Sequence, residues 1–286
     1  MATDENPRRA LLKVMELAAH IGDVAQLQGL LHTWETQTID GALAINKDKD
    51  WFEPTAMEQF EVFNELNRPP DHTKLVHTSW YIFNRLLVAA SRGNQVAVVS
   101  FLLDRGVPIT SSAVQKAIAN DAFDVLEVFL GNGWDINQPI RNDLCPLLSK
   151  NKIMDVLSHA ARFASPQVLE VLVSYGANFA YSNALHRAAE RGRLEVMQWL
   201  LEQRAFPVNQ REHEYDVELF QDRRSNGLGT ALHAAVKENC AVSVDFLLKQ
   251  GIDATVPDSL GHTALDRANE GAKQEIVFLL ETHPSA

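Results

Sequence analysis

One pattern recurs along this chain and limits what it can fold into. A pair of small residues is followed, at a nearly fixed distance, by a pair of large aliphatic ones. In residues 183–201, NALHRAAERGRLEVMQWLL, Ala188-Ala189 precedes Leu200-Leu201. In 229–251, GTALHAAVKENCAVSVDFLLKQG, Ala235-Val236 precedes Leu247-Leu248, and 261–280, GHTALDRANEGAKQEIVFLL, repeats the form around Ala268. Each segment reads as a short Ala-Leu helix, a break, and a second helix ending on leucines. The small residues let the two helices approach closely. A unit of this size cannot bury its apolar face alone, so copies must stack on one another.

Earlier segments keep the frame with less similarity. Ala160-Ala161 leads to Leu172-Val173, Ala117-Ile118 to Phe129-Leu130, and Ala18-Ala19 to Leu30-Leu31. Ala89-Ala90 leads to Leu102-Leu103 with one residue more. The motif Gly229-Thr230-Ala231-Leu232-His233, with Gly261-His262-Thr263-Ala264-Leu265 and Asn183-Ala184-Leu185-His186 followed by Gly192, resembles the ankyrin repeat family. Alanine stands where that family's unit has proline. The resemblance implies an all-α, mainly helical fold, an ankyrin-type helix-turn-helix repeat solenoid of six to seven repeats with short loop or hairpin fingers. It predicts a single solenoid over 1–286, with repeats near 10–32, 79–107, 108–137, 153–178, 181–204, 228–253 and 261–281.

Thr230 and Thr263 stand where an N-cap hydroxyl accepts a backbone N–H, and Gly251 suits the left-handed residue that ends a helix. In the family the motif histidine bonds the motif threonine and neighbouring backbone. The resemblance therefore gives His186 and His233 an architectural role rather than a chemical one. Asp266 takes the histidine's place in the last copy.

Successive small-residue pairs, from Ala18 to Ala268, lie 71, 28, 43, 28, 47 and 33 residues apart, against a family period of about 33. The long intervals mark insertions at 33–77, 138–153 and 205–227. The first contains the capping box Thr55-Ala56-Met57-Glu58 and places Met57, Phe60, Phe63 and Leu66 on one side of a helix stopped by Pro69-Pro70. The second carries Cys145 in a loop. In the third, Tyr215, Val217 and Leu219 alternate as in an extended segment or hairpin, which predicts an acidic finger projecting from the array.

A formal charge of −11 argues against nucleic acid or an anionic membrane as partner. No stretch approaches the roughly 20 apolar residues of a membrane span. Cys145 and Cys240 have no CxxC spacing, MATDENPRRA lacks a signal peptide's form, and no N-x-S/T occurs, so the expected setting is cytoplasm or nucleus. No phosphate loop, nucleophile elbow or kinase signature is present. His213-Glu214 begins like a zinc HExxH, but its second histidine is Val217.

The expectation is a non-catalytic protein-interaction scaffold or adaptor, monomeric on its own and needing no metal or cofactor. A regulatory subunit or inhibitor of an enzyme is the alternative. The contrasting class is a metal-assisted hydrolase with a site in 205–227 around His213. Matching the family's exposed positions gives Arg187, Glu190, Arg191, Lys237, Glu238, Arg267 and Glu270 as a mixed-charge partner-binding strip. His213, Tyr215, Phe220 and Trp134 join them, the aromatics as anchors.

Overall fold

The fold follows from how each alanine ends its helix. In a computed structural model, which describes residues 7–37, 75–138, 140–141, 153–203 and 208–283, seven helix pairs follow one another. They are α1 (Pro7–Ile21) with α2 (Val24–Gln37), α3 (Leu75–Arg92) with α4 (Val96–Asp104), and α5 (Ser111–Ala119) with α6 (Phe123–Gly131). Then come α7 (Val156–Phe163) with α8 (Pro166–Ser174) and α9 (Ala184–Glu190) with α10 (Leu194–Glu202). After a separate helix α11 (Val217–Arg223) the series closes with α12 (Ala231–Lys237) and α13 (Ala241–Lys249), and α14 (Ala264–Glu270) and α15 (Gln274–Thr282). Two-residue strands, β1 (Ile140–Arg141) and β2 (Ile153–Met154), form one short ladder. The architecture is a helical repeat solenoid.

In six pairs a left-handed residue lies four positions after the alanine: Gly22, Asn94, Asp121, Gly192, Asn239 and Ala272, with φ between 51° and 87°. The next residue's N–H reaches back to the alanine carbonyl in every case. Asp23 bonds Ala18, Gln95 bonds Ala90, Ala122 bonds Ala117, Arg193 bonds Ala188, Cys240 bonds Ala235 and Lys273 bonds Ala268, at 2.9–3.0 Å. This is the six-to-one bond of a Schellman turn. The α7–α8 pair differs: the Ala164 N–H bonds Ala160, and the chain enters α8 through extended Ser165 and Pro166.

These bonds correct one register. The residue of α3 equivalent to Ala18 is Ala90, not Ala89. Ala90 and Ser91 are fully buried, whereas Ala89 is half-exposed. Counted from Ala90, Leu102 falls at the common spacing and the extra residue disappears. Second helices close in the same way on Gly106, Gly133, Gly176 and Gly251.

By its contacts the chain divides into two compact units, 1–135 with 140–153, and 136–139 with 154–286. In the first, α1, α3 and α5 pack side by side, with α2, α4 and α6 in a second layer. In the second, α7, α9, α12 and α14 form one layer and α8, α10, α13 and α15 the other. Each core is the space between layers. Second helices fill it with regular triplets, such as Val98, Val99 and Leu102, or Val196, Met197 and Leu200, all at most 1% exposed. Burying such side chains contributes about 1.5–3 kcal/mol each.

The extended finger expected at 215–219 is instead a tight turn and a helix. Asp216 Oδ1 accepts the Leu219 N–H at 3.0 Å, starting α11, and Gly227 (φ 68°) ends the turn after it. An N-capping aspartate outweighs a three-residue alternation, because Val217 buries nothing and is 71% exposed. The capping box Thr55–Glu58, with Met57, Phe60, Phe63 and Leu66, and the loop carrying Cys145 lie outside the described residues. Among the described residues no helix is long and apolar enough to cross a membrane.

Candidate interaction face

The motif histidines sit on the first-helix layer of the second unit and each ties one repeat to the next. His233 Nδ1 accepts the Thr230 N–H at 3.2 Å, so the ring proton lies on Nε2 and is donated to the His262 carbonyl at 3.0 Å. His186 donates from Nε2 to the Gly229 carbonyl at 3.1 Å, and the Glu212 N–H reaches the same oxygen at 2.9 Å. Asn183 replaces threonine ahead of His186, and His186 Nδ1 is buried without a partner among the described residues. Burial therefore pushes His186 down to about 4, with Glu212 opposing and Arg187 assisting. Burial lowers His233 as well. Asp266 keeps half of the motif role, since its Oδ2 accepts from the Thr263 N–H and hydroxyl at 2.8 and 2.7 Å.

The turn 212–215 is drawn into this layer. Asn183 Oδ1 accepts the His213 N–H at 2.9 Å, which fixes the amide so that Nδ2 donates to His213 Nδ1 at 3.0 Å and to the Tyr215 hydroxyl at 3.2 Å. His213 is 5% exposed and held at φ 60°. Its Nε2 lies between Glu212 Oε1 at 3.6 Å and the Arg223 guanidinium at 3.4 Å. Burial pushes His213 down, and Glu212 only partly offsets it. The guanidinium of Arg187 bridges Glu190 and Glu212. Burial works against both charges of that bridge. Even so, the pairing holds Glu212 below its ordinary range and Arg187 above its own. Arg267 repeats the device, pairing with Glu270 at 2.8 Å and with the 2%-exposed Asp258 at 2.6 Å.

Comparison with known proteins agrees with this geometry. Residues 157–201 match a family described as ankyrin repeats (many copies), and residues 229–259 match the ankyrin repeat. Residues 157–201 and 229–259 of the chain thus carry ankyrin repeats. The crystal structure of the human ASB11 ankyrin repeat domain superposes with a TM-score of 0.50 at 19% identity, covering 70% of this chain and 84% of that one. A search of curated proteins found no match.

The ankyrin layer distributes the expected strip residues unequally. Arg191, Lys237, Glu238 and Glu270 are exposed at the C-terminal ends of α9, α12 and α14. Glu190 is half-buried in its ion pair. Arg187 and Arg267, expected on the open surface, are instead internal pins. His213, expected to meet a partner, is buried as part of the fold. Its nitrogens are engaged and Asp216 is spent on capping α11, so His213, Asp216 and Glu218 do not converge as a metal or hydrolytic site. Among the described residues no group of three or more His, Cys, Asp or Glu is arranged to hold a metal.

Tyr215 is half-buried and packs edge-on to Tyr181, with centroids 6.0 Å apart. Tyr181 is 60% exposed and was invisible to the periodic reading. Phe220 is half-buried under the Arg211 guanidinium, 5.8 Å away. Trp134 is half-buried in the turn after α6, in the first unit. Cys240 is free, its thiol 3.1 Å from the Ser243 hydroxyl. Asn183, Glu212 and Asp258 were also missed, because their roles depend on partners that loops supply.

Proposed function

We propose that this protein is a non-catalytic adaptor that binds another protein through the exposed ends of the first helices in its second unit. The observation that carries this reading is the contrast within that layer. Arg187, Arg267 and His213 are consumed by internal bonds, while Arg191, Lys237, Glu238 and Glu270 stand exposed at the C-terminal ends of their helices and Tyr181 stands exposed ahead of α9. Ankyrin repeats are generally protein-interaction modules. A stable complex covers about 800 Å² on each partner, and an exposed aromatic such as Tyr181 suits an anchor within such a patch. Inhibition or regulation of an enzyme is one form this binding takes, in the cytoplasm or nucleus.

The test is affinity capture from lysate with the wild type and with an Arg191→Glu, Lys237→Glu variant. Both residues are exposed, so folding is retained and circular dichroism is unchanged. A protein enriched by the wild type and lost with the variant identifies the partner. Equal enrichment by both baits overturns this placement of the binding face.

A further inference from the structure

The first unit presents a surface of different chemistry. An open groove of about 620 Å³ runs across α1, α3 and α5. Its floor includes Tyr81, Val88 and Ala89, and its charged lining is Lys13, Arg85, Arg92 and Lys116 against the single carboxylate of Glu16. Four permanent cations and one anion gather here in a chain whose formal charge is −11. Glu16 is already engaged by Arg85, whose guanidinium also donates to the Tyr81 hydroxyl at 2.7 Å. The side chains of Arg92 and Lys116 make no hydrogen bond or ion pair with another described residue.

Lys116 stands one residue before Ala117, the register that Arg187 and Arg267 occupy before Ala188 and Ala268. Arg187 and Arg267 are each neutralised by a helix acid and a loop acid. Lys116 has no such acid among the described residues. Along one edge, α1 adds an apolar stripe, Val14, Leu17 and Ile21, which are 42%, 58% and 57% exposed. Arg92 and Lys116, beside exposed aliphatic side chains, complement a segment that carries acids and apolar residues together.

We propose that this groove docks a short acidic segment of a partner protein, in which Asp or Glu alternate with large apolar residues. Three helices at about 8–10 Å spacing span roughly 20 Å, which about six extended residues cross. A long polyphosphate is the less suitable occupant, because so few cations meet it and the surrounding charge repels it. This surface is separate from the second-unit face proposed above, so either stands if the other fails.

The probes are fluorescent peptides of roughly twelve residues, a pool with Glu and Leu or Phe interspersed, a matched pool with Gln for every Glu, and oligo-dT as a polyphosphate. Anisotropy titrations use the full chain at about 20 mM and about 300 mM salt. The acidic pool binds at low salt, weakens at high salt, and binds Arg92→Gln, Lys116→Gln about tenfold less tightly. The Gln pool and oligo-dT bind more weakly than the acidic pool, and Lys249→Gln, at an exposed position of α13 outside both proposed surfaces, leaves the affinity unchanged. The proposal is overturned by any one of three results. These are no binding of the acidic pool at about 1 mM, equal binding by the groove variant, or oligo-dT binding as tightly as the peptides.

Discussion

His186 gives the sharpest test of the architectural reading, because its two protonation states fit the fold unequally. The neutral ring donates from Nε2 to Gly229 and leaves the unprotonated Nδ1 buried without a donor. Protonation would place a second N–H and a charge in that pocket, which is why burial holds its pKa at about 4. A group depressed in the folded state contributes stability above its unfolded pKa and loses it as pH falls through the folded one. From an unfolded value of about 6.5 to a folded value of about 4, the full linkage is about 3 kcal/mol, of which about 2 is lost by pH 5. His186→Gln removes this dependence. Its cost at neutral pH is limited to about 1 kcal/mol, because the Gly229 carbonyl keeps the Glu212 N–H when the imidazole donor goes. Urea unfolding at several pH values should show the variant weaker at pH 7.5, equal near pH 6 (about where the two terms cancel), and stronger at pH 5. Parallel stability curves for wild type and variant would refute the reasoning. So would an NMR titration in which the His186 ring protonates near its ordinary value.

Three further substitutions probe the frame. A methyl group added at Gly229 would lie 2.3 Å from His233 Cγ. Gly229→Ala should therefore displace the ring and cost about 1–3 kcal/mol, and an unchanged urea midpoint would count against the packing described. The carboxylate of Asp258 accepts from the Leu260 and His262 N–H groups and from Arg267. Asp258→Ala strands the two backbone donors while Arg267 keeps Glu270, and should cost about 1–3 kcal/mol, whereas a thermal shift equivalent to less than about 0.5 kcal/mol would contradict it. Ala272 is exposed at φ 51°, where glycine is unstrained. Ala272→Gly should raise the melting temperature through a gain of about 0.5–1 kcal/mol, and a lower melting temperature would show that the turn is not strained.

The solenoid was legible in the sequence because its residues do the same job in nearly every copy. Alanine at the helix contact, a leucine or phenylalanine twelve positions on and, in six of the seven described pairs, a left-handed residue between them are short-range requirements, so their spacing survives where similarity fades. Ala90 shows the limit of that legibility. With Ala89 and Ala90 adjacent, composition alone permits either register, and only the bond from the Gln95 N–H selects Ala90. The finger at 212–226 failed for a related reason. Alternation over Tyr215, Val217 and Leu219 is a weak signal, and Asp216 supplied a helix start that it did not outweigh.

The interaction face was less legible because the availability of a charge is decided outside the repeat. Lys116, Arg187 and Arg267 share one register, and the repeat pattern alone does not distinguish them. Arg187 is neutralised by Glu212, 25 residues away in an insertion, and Arg267 by Asp258, nine residues back in a turn. No period relates those separations, so the repeat frame cannot announce them. Lys116 has no such acid among the described residues. The same helical position therefore serves as a pin in one unit and as a binding charge in the other. Loop sequence, rather than repeat sequence, sets which role it takes.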